Sequence, residues 1–362
     1  LALEERLFRQ LDEKVYARMP SSQRSSINRY HRGSLSDPQN WSPNWNRSFE
    51  LPAPSARAGV LLLHGMSDSP YSLRHLGQSL NTAGAHVLGL RLPGHGTAPS
   101  GLVELSWQDM AAAVRLAMRY LAQQLGERPL YIVGYSNGAA LAVHYALAAL
   151  EDAGLPRAER LALLSPAIGV SPVAALAVWQ ARLGHLLGLD KLAWNSILPE
   201  YDPFKYNSFA VNAGDVVYRL TQEIQRRIDT LQQRRGLEEF PLVLAFSSVV
   251  DATVSIPALV RGLFSRLPAD AGHELVLFDI NHRTDIEPLM QWDPDATVRA
   301  LREDPDRTFV LNLIGNATDQ SAEVALRRFG HGDRISTESG LGFEWRDGVY
   351  SLSHVAIPFP AE

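Results

Sequence analysis

Residues 131–140 read Tyr131-Ile-Val-Gly134-Tyr135-Ser136-Asn137-Gly138-Ala139-Ala140. An apolar run precedes the serine, and an Ala- and Leu-rich helical pattern follows it at 139–150. This order of strand, turn and helix is the setting in which Gly-x-Ser-x-Gly presents a serine at a sharp turn. Small residues are needed there because larger side chains would collide with the adjoining strand and helix. We predict that Ser136 is a nucleophile, with a serine in an ordinary glycine-rich turn as the alternative.

Short apolar runs alternate with helical patterns on both sides of this stretch. Continuous apolar runs are typical of strands buried on both faces of a parallel sheet. The runs are 60–64, 86–90, 130–134, 161–164, 242–246, 275–278 and 309–314. Helix signals lie between them: Ser69 followed by proline, Gly84 as a stop, and Ser106 with Asp109 as a capping box for 107–125. We predict an α/β fold with a doubly wound, mostly parallel sheet.

Two segments interrupt this alternation. Residues 168–240 contain no good strand but hold helical patterns at 173–187 and 216–235, which predicts a helical cap or lid. Residues 282–350 are irregular apart from 309–314. We therefore divide the chain into an N-terminal helix (2–19) and strap within 1–58, a core of 59–167 and 241–362, and the cap of 168–240.

Composition excludes several classes of protein. The formal net charge of −5 argues against nucleic acid as a partner, because phosphate binding requires a basic surface. The absence of cysteine excludes disulfides, thiolate metal sites and a cysteine nucleophile. Neither a His-Glu-x-x-His motif nor a dinucleotide fingerprint is present, so we expect neither a catalytic metal nor a bound dinucleotide.

The cellular location and the oligomeric state are not determined by the sequence. No apolar run approaches the roughly 18 residues that span a bilayer. Because the sequence starts at Leu1 and not at Met, an upstream signal or anchor is left open.

An oxyanion hole is expected beside the serine. One donor is the backbone N–H of the residue after the nucleophile, Asn137. The second comes from the loop after an early strand, where Gly65 lets the N–H of Met66 turn inward. Two preorganised donors stabilise a tetrahedral intermediate by several kcal/mol. For His64 we favour a structural role in holding this loop over a catalytic one.

The acid and the base should follow the serine in that order. Asp251 comes just after the run 242–246 and is the candidate acid, with a turn-forming aspartate as the alternative. His354, preceded by Ser351 and Ser353 and followed by apolar residues, is the candidate base. His282 is the alternative base: it lies about thirty residues after Asp251, but its charged neighbours, Arg283 and Asp285, suggest a solvated or salt-bridged turn.

Taken together, the motifs resemble those of a known superfamily. The chain is similar to the lysophospholipase and monoacylglycerol-lipase-like branch of the α/β-hydrolases, a group of carboxylesterases. The motifs that carry the resemblance are His64-Gly65-Met66, Pro93-Gly94-His95-Gly96, Gly134-Tyr135-Ser136-Asn137-Gly138, Asp251-Ala252-Thr253-Val254 and Ser353-His354. Two features depart from the family pattern: Asn137 stands where Met, Gln or Thr is more usual, and the segment between Asp251 and His354 is long.

The resemblance implies ester hydrolysis through an acyl-enzyme without a cofactor. We predict a serine carboxylic ester hydrolase acting on short- to medium-chain acyl esters or monoacylglycerol-type substrates. Most apolar side chains of the cap are expected to pack on the core, and the remainder to form an acyl pocket. The same triad would serve a thioesterase or a proline-type peptidase, and a non-catalytic binding protein on this scaffold is the alternative of another class. The expected partner is a small-molecule ester; contact with a membrane or lipid surface is left open.

Overall fold

The computed structural model describes residues 2–169, 193–251, 253–283, 293, 295–346, 349 and 351. The strands are β1 (Phe49–Leu51), β2 (Ala58–Leu63), β3 (Ala85–Leu90), β4 (Leu130–Tyr135), β5 (Arg160–Leu164), β6 (Trp194–Ser196), β7 (Phe209–Ala210), β8 (Leu242–Ser248), β9 (Glu274–Phe278), β10 (Val310–Asn316), β11 (Glu323–Phe329) and β12 (Thr337–Glu344). The helices are α1 (Ala2–Lys14), α2 (Arg74–Thr82), α3 (Trp107–Leu125), α4 (Asn137–Glu151), α5 (Val211–Gln233), α6 (Ile256–Gly262) and α7 (Asp295–Glu303).

The chain divides into two compact units, and each holds part of the strand framework. The first comprises Leu1–Ile132, Gly154–Pro156 and Pro172–Leu220. In it β3 pairs in parallel with β2 and antiparallel with β1. All six residues of β2 are buried, as expected of a strand covered on both faces. The short strands β6 and β7 form a separate antiparallel pair in this unit.

The second unit comprises Val133–Ala153, Arg157–Ser171 and Thr221–Glu362, so strand β4 begins in one unit and ends in the other. Its strands follow the order β5-β8-β9-β10-β11-β12. The pairs from β5 to β10 are parallel, and β11 and β12 extend this edge by antiparallel pairing. The carboxyl ends of the parallel strands therefore lie at one edge, where ligands bind in sheets of this kind.

The apolar runs identify the parallel strands correctly. Each predicted run overlaps one of β2, β3, β4, β5, β8, β9 and β10, and the α/β class with a mostly parallel sheet is confirmed. The predicted helix 107–125 has the expected cap, since the Ser106 hydroxyl accepts a hydrogen bond from the backbone nitrogen of Asp109 at 3.1 Å.

Other sequence-based expectations need correction. Ser69 makes no side-chain cap, and a short 3₁₀ turn, Pro70–Leu73, precedes α2. The segment 168–240 does contain strands, β6 and β7, which are only three and two residues long. The segment 282–350 is more regular than expected, because it contains β11 and β12 as well as β10. All eight residues of β12 are exposed, so this strand has no apolar run by which to recognise it.

The N-terminal and cap segments keep part of their expected structure. The helix expected at 2–19 ends at Lys14 and is followed by a 3₁₀ turn, Tyr16–Arg18. The helix expected at 216–235 is α5. The helical pattern at 173–187 lies outside the described residues. Within the described part of the chain, no helix is long and apolar enough to cross a membrane.

Candidate active site

Ser136 occupies a sharp turn between β4 and α4. Its φ of +55° and ψ of −114° lie in a region that L-residues rarely adopt, at a cost of order 1–3 kcal/mol. The surrounding structure holds this conformation through backbone hydrogen bonds. The nitrogen of Ser136 donates to the carbonyl of Leu164 at 2.8 Å, and its carbonyl accepts from Ala139 at 3.1 Å and Ala167 at 3.2 Å. The serine is thus fixed at the carboxyl end of β4.

The glycine two residues before the serine is required by close packing. A Cβ atom at Gly134 would lie 2.5 Å from both the Cα of Ala139 and the carbonyl oxygen of Gly138. Contacts this short do not occur for real side chains, so the first turn of α4 can pass β4 only at a glycine. Ala139 and Ala140 are fully buried, which explains why small residues follow the serine.

Asn137 is the first residue of α4 and is fully buried. The first N–H groups of an α-helix point out of its N-terminal end, where the helix dipole favours negative charge. The backbone N–H of Asn137 therefore lies at the N-terminal end of α4, directly after the candidate nucleophile Ser136.

The loop after β2, which carries Met66, is held by the ring of His64. The Nε2 atom of His64 accepts a hydrogen bond from the backbone nitrogen of Leu92 at 3.1 Å. Because that N–H can only donate, Nδ1 carries the proton and donates to the carbonyl of Gly65 at 2.9 Å. Burial, His95 and the charge of Arg91 hold the pKa of His64 well below its usual value, so the ring stays neutral. The structural role favoured for His64 therefore agrees with its contacts.

This bond also orients the peptide between Gly65 and Met66. In a trans peptide the N–H points away from the carbonyl, so fixing the Gly65 oxygen sets the direction of the Met66 N–H. Met66 is half-buried, and the turn closes with a bond from the nitrogen of Asp68 to the Gly65 oxygen at 3.3 Å. Ser67 completes the turn with a φ of +68°.

Asp251 follows β8 in the unit that contains Ser136. Its Oδ1 atom accepts hydrogen bonds from the backbone nitrogens of Thr253 at 2.8 Å and Val254 at 2.9 Å. These two bonds form the turn considered as an alternative role for this residue. They use one carboxylate oxygen, so the turn and a catalytic role of Oδ2 are compatible.

Of the two candidate bases, the structure describes only His282. His354 lies outside the described residues. The backbone nitrogen of His282, just past β9, donates to the side-chain oxygen of Asn316 at 3.0 Å. Its Nε2 atom lies 3.6 Å from Oδ2 of Asp279, which makes His282 one member of an ion pair when protonated. A salt-bridged turn was expected here from the charged neighbours in sequence, and the partner that the structure provides is Asp279.

Asp279, the partner of the candidate base His282, is a residue that the sequence analysis did not single out. It follows β9 directly, and its backbone nitrogen donates to the carbonyl of Ile314 at 2.8 Å. A polar residue at the carboxyl end of a buried strand was the available signal. A carboxylate of Asp295 also lies within 4.8 Å of the donor atoms of Asp279 and His282. Nothing else among the described residues favours a cation at these three side chains.

Residues 54–274, more than half of the chain, match the family model described as serine aminopeptidase, S33. The chain belongs to this family. The family is part of the α/β-hydrolase superfamily, and the predicted resemblance is confirmed. The matched range contains Met66, Ser136, Asn137 and Asp251 but ends before both candidate histidines.

One relative of known activity matches a segment of this chain that is shorter than the range matched by the family model. It is a thermostable monoacylglycerol lipase of Bacillus sp. (strain H-257), 32% identical over 94 residues. That segment is 26% of this chain and spans 37% of the length of the relative.

Two solved structures are similar to this chain over a larger share of its length than the relative from Bacillus sp. Monoacylglycerol lipase of Paleococcus ferrophilus is 22% identical, with a TM-score of 0.47, over 64% of this chain and 88% of that one. A soluble variant of monoglyceride lipase from Saccharomyces cerevisiae is 13% identical, with a TM-score of 0.49, over 64% of this chain and 82% of that one.

Proposed function

We propose that this chain is a serine hydrolase of carboxylic esters, with Ser136 as its nucleophile. The observation that carries the proposal is the positive φ of Ser136 at the turn between β4 and α4. Strain of this kind persists where the surrounding structure enforces it, and it clusters at active sites. Gly134 supports the same reading, because only a glycine permits the close passage of α4.

The proposed chemistry proceeds through an acyl-enzyme. Ser136 Oγ attacks the ester carbonyl carbon as His354 accepts the hydroxyl proton, and the N–H groups of Met66 and Asn137 donate to the oxyanion. His354 then gives this proton to the departing alcohol. A water molecule attacks the acyl-enzyme carbonyl as His354 takes its proton. His354 then returns this proton to Ser136 Oγ as the bond to the acyl carbon breaks, which releases the carboxylic acid and restores the serine. Asp251 orients the imidazole and stabilises its charged form. His282 remains the alternative base.

The proposed substrates are short- to medium-chain acyl esters or monoacylglycerol-type esters. The relative from Bacillus sp. supports this class, since it is named a monoacylglycerol lipase. We assign 1–58 as an N-terminal helix and strap, 59–167 with 241–362 as the core, and 168–240 as a helical cap. Of the cap aromatics, Phe204 is buried and stacks on Tyr71 with the ring centroids 4.0 Å apart, which favours a packing role for it.

A peptidase is the second candidate. The description of the matched family as a serine aminopeptidase favours it, and the same triad would attack an amide carbonyl. A thioesterase would use the same groups. These activities differ in the leaving group, which the catalytic residues alone do not select.

The decisive experiment compares hydrolysis of p-nitrophenyl esters from acetate to palmitate with that of a proline p-nitroanilide and an acyl thioester. The variants are Ser136→Ala, His354→Ala and His282→Ala. Ser79→Ala, an exposed serine in α2, serves as the control for the serine substitution. We expect loss of roughly 10⁴-fold or more in kcat for Ser136→Ala and His354→Ala. The other two variants should retain turnover.

The possible outcomes separate the alternatives. Loss of turnover in His282→Ala with retention in His354→Ala would reassign the base and leave the nucleophile in place. Turnover of the anilide or the thioester above all esters would assign the peptidase or thioesterase activity. Absence of turnover with every substrate would favour a binding protein on a hydrolase scaffold.

A further inference from the structure

The hydroxyl group of Tyr206 connects both ends of the loop that follows β3. It accepts a hydrogen bond from the backbone nitrogen of Thr97 at 2.8 Å and donates to the carbonyl of Gly94 at 3.1 Å. The ring lies nearly parallel to that of His95, with the centroids 6.4 Å apart. Burial raises the pKa of this hydroxyl, which therefore stays a neutral donor at neutral pH. One side chain thus closes the Gly94–Thr97 turn.

The backbone of Tyr206 binds a second loop, the one that carries Met66. The nitrogen of Tyr206 donates to the carbonyl of Ser67 at 2.8 Å. Ser67 follows Met66 directly and has a positive φ, so its peptide orientation depends on such contacts. His64 therefore fixes the Gly65–Met66 peptide through the Gly65 carbonyl, and Tyr206 fixes the Ser67–Asp68 peptide of the same turn, on the other side of Met66.

The N-terminal segment holds the stretch before Tyr206 in place. The backbone nitrogen of Arg29 donates to the carbonyl of Glu200 at 2.9 Å, and its Nη1 atom donates to that of Lys205 at 3.2 Å. The side chain of Asn46 donates to the carbonyl of Pro203 at 2.9 Å. Three carbonyls of one short stretch are thus bound by two residues that lie before the range matched by the family model.

The guanidinium group of Arg29 is part of the same network. Arg29 is only 1% exposed, and its charge lies over the rings of Tyr30 at 5.4 Å and Tyr206 at 5.5 Å. Burial of a cation is costly unless hydrogen bonds and aromatic faces compensate for lost hydration. Nη2 also donates to Asn46 at 3.3 Å, and the Tyr30 hydroxyl donates to the carbonyl of Thr97 at 3.0 Å. Substitution of one residue in this network is therefore expected to weaken the contacts of the others.

We propose that Tyr206 is a positioning residue for the Met66 loop. Arg29 and Asn46 in turn anchor the stretch that carries Tyr206. This inference rests on the proposed function, in which the Met66 N–H stabilises the oxyanion. A misplacement of about 1 Å in a catalytic group can cost on the order of 100-fold in rate. Tyr206 does not react; it acts through the loops it binds, so its loss should lower the rate of the chemical step more than substrate affinity.

The test compares Tyr206→Phe with Tyr201→Phe in the full chain. Tyr206→Phe removes both hydroxyl bonds, keeps the ring beside His95 and retains the backbone nitrogen that binds the Ser67 carbonyl. The variant therefore tests whether the hydroxyl bonds hold that backbone contact in place. Tyr201→Phe makes the same change at a side chain that is 54% exposed in the same stretch. The measurements are kcat and KM with p-nitrophenyl butyrate, and backbone hydrogen exchange of peptides covering 64–68 and 94–97. Asn46→Ala tests the anchor by the same measurements.

We expect Tyr206→Phe to lower kcat roughly 10- to 100-fold with KM changed less than about twofold, because the affected group acts in the transition state. Exchange should rise in both loops, Asn46→Ala should act in the same direction, and Tyr201→Phe should behave as wild type. Faster exchange with unchanged kcat would overturn the positioning role, as would unchanged exchange or an effect on KM alone. If the wild-type protein hydrolyses no ester, the proposed function fails, whereas the exchange measurement still tests the anchor.

Discussion

Glu4 of α1 accepts a hydrogen bond from the Nε atom of Arg91, just past β3, at 2.6 Å, and the two side chains are only 12% and 13% exposed. The same Glu4 oxygen accepts from the backbone nitrogen of Ser48 at 3.1 Å. Arg91 also donates to the carbonyl of His95 at 3.0 Å. A residue at the start of the chain is thereby connected to the loop that Tyr206 closes.

This ion pair predicts different costs for two adjacent glutamates. Glu4→Ala leaves the charge of Arg91 largely buried without its partner, and we expect the unfolding free energy to fall by about 2–3 kcal/mol. Glu5→Ala is the control, because Glu5 pairs with Arg47 at a position where its side chain is 63% exposed. Exposed pairs of this kind contribute about 0–1 kcal/mol. Urea unfolding measures both, and equal losses would contradict the assignment.

Two glycine substitutions should have opposite effects. Gly134→Ala forces a Cβ to within 2.5 Å of backbone atoms in α4, and a clash with backbone is not relieved by rotating a side chain. We expect a loss of about 2–4 kcal/mol in stability and loss of ester turnover. At Gly214, in α5, nothing lies within 4 Å of the added Cβ.

Gly214→Ala should therefore stabilise the protein by about 0.5–1 kcal/mol, the difference in helix propensity between the two residues. Both predictions are tested by measuring the thermal unfolding of Gly134→Ala and Gly214→Ala and their turnover of a p-nitrophenyl ester. A Gly134→Ala protein with wild-type stability and turnover would show that the turn at Ser136 does not need a glycine.

The two serines that precede helical turns should respond differently to alanine. The Ser106 hydroxyl caps α3 through the nitrogen of Asp109, and Ser106→Ala should cost about 1 kcal/mol. The Ser69 hydroxyl is buried without a hydrogen-bond partner among the described residues. Ser69→Ala should change stability by less than about 0.5 kcal/mol or increase it, because no bond is lost and a buried polar group is removed. Chemical denaturation measures both, and a larger loss for Ser69→Ala would place an unseen partner beside it.

A buried histidine outside the site should make stability depend on pH. The Nδ1 atom of His273 accepts a hydrogen bond from the backbone nitrogen of Val243 at 3.1 Å. Burial, with the nearby His331, lowers the pKa of His273 to about 4. The unfolded chain binds a proton at this residue with a pKa of about 6.5, so between these values the unfolded state holds more protons. The stabilisation is complete above pH 6.5 and is lost as the pH falls towards 4.

The expected slope for one such group is at most about 1.4 kcal/mol per pH unit in this window. His273→Asn keeps an acceptor for the Val243 nitrogen and cannot titrate. Its unfolding free energy, measured in urea between pH 7 and 4.5, should fall less steeply than that of the wild-type protein. Parallel curves would show that His273 does not titrate in this range.

The strands buried on both faces were predictable because their signal is local. In β2 every residue is apolar or glycine, and burial on both faces requires that run. The turn at Ser136 was predictable for a similar reason, since Gly134 and Ala139 meet across five residues of chain. Strand β12 was not predictable, because its partner β11 supplies backbone hydrogen bonds that require no particular side chains.

The sequence alone determined the class of fold, the sharp turn at Ser136 with its requirement for Gly134, and the family to which the chain belongs, because each depends on residues close together in the chain. Three relationships were decided by folding: the pairing of His282 with Asp279, the contact of Glu4 with Arg91, and the bonds from Tyr206 to both loops. The last two join residues 87 and 109 positions apart. Contacts of that kind follow from the packing of strands and loops around a core, and no local pattern encodes them.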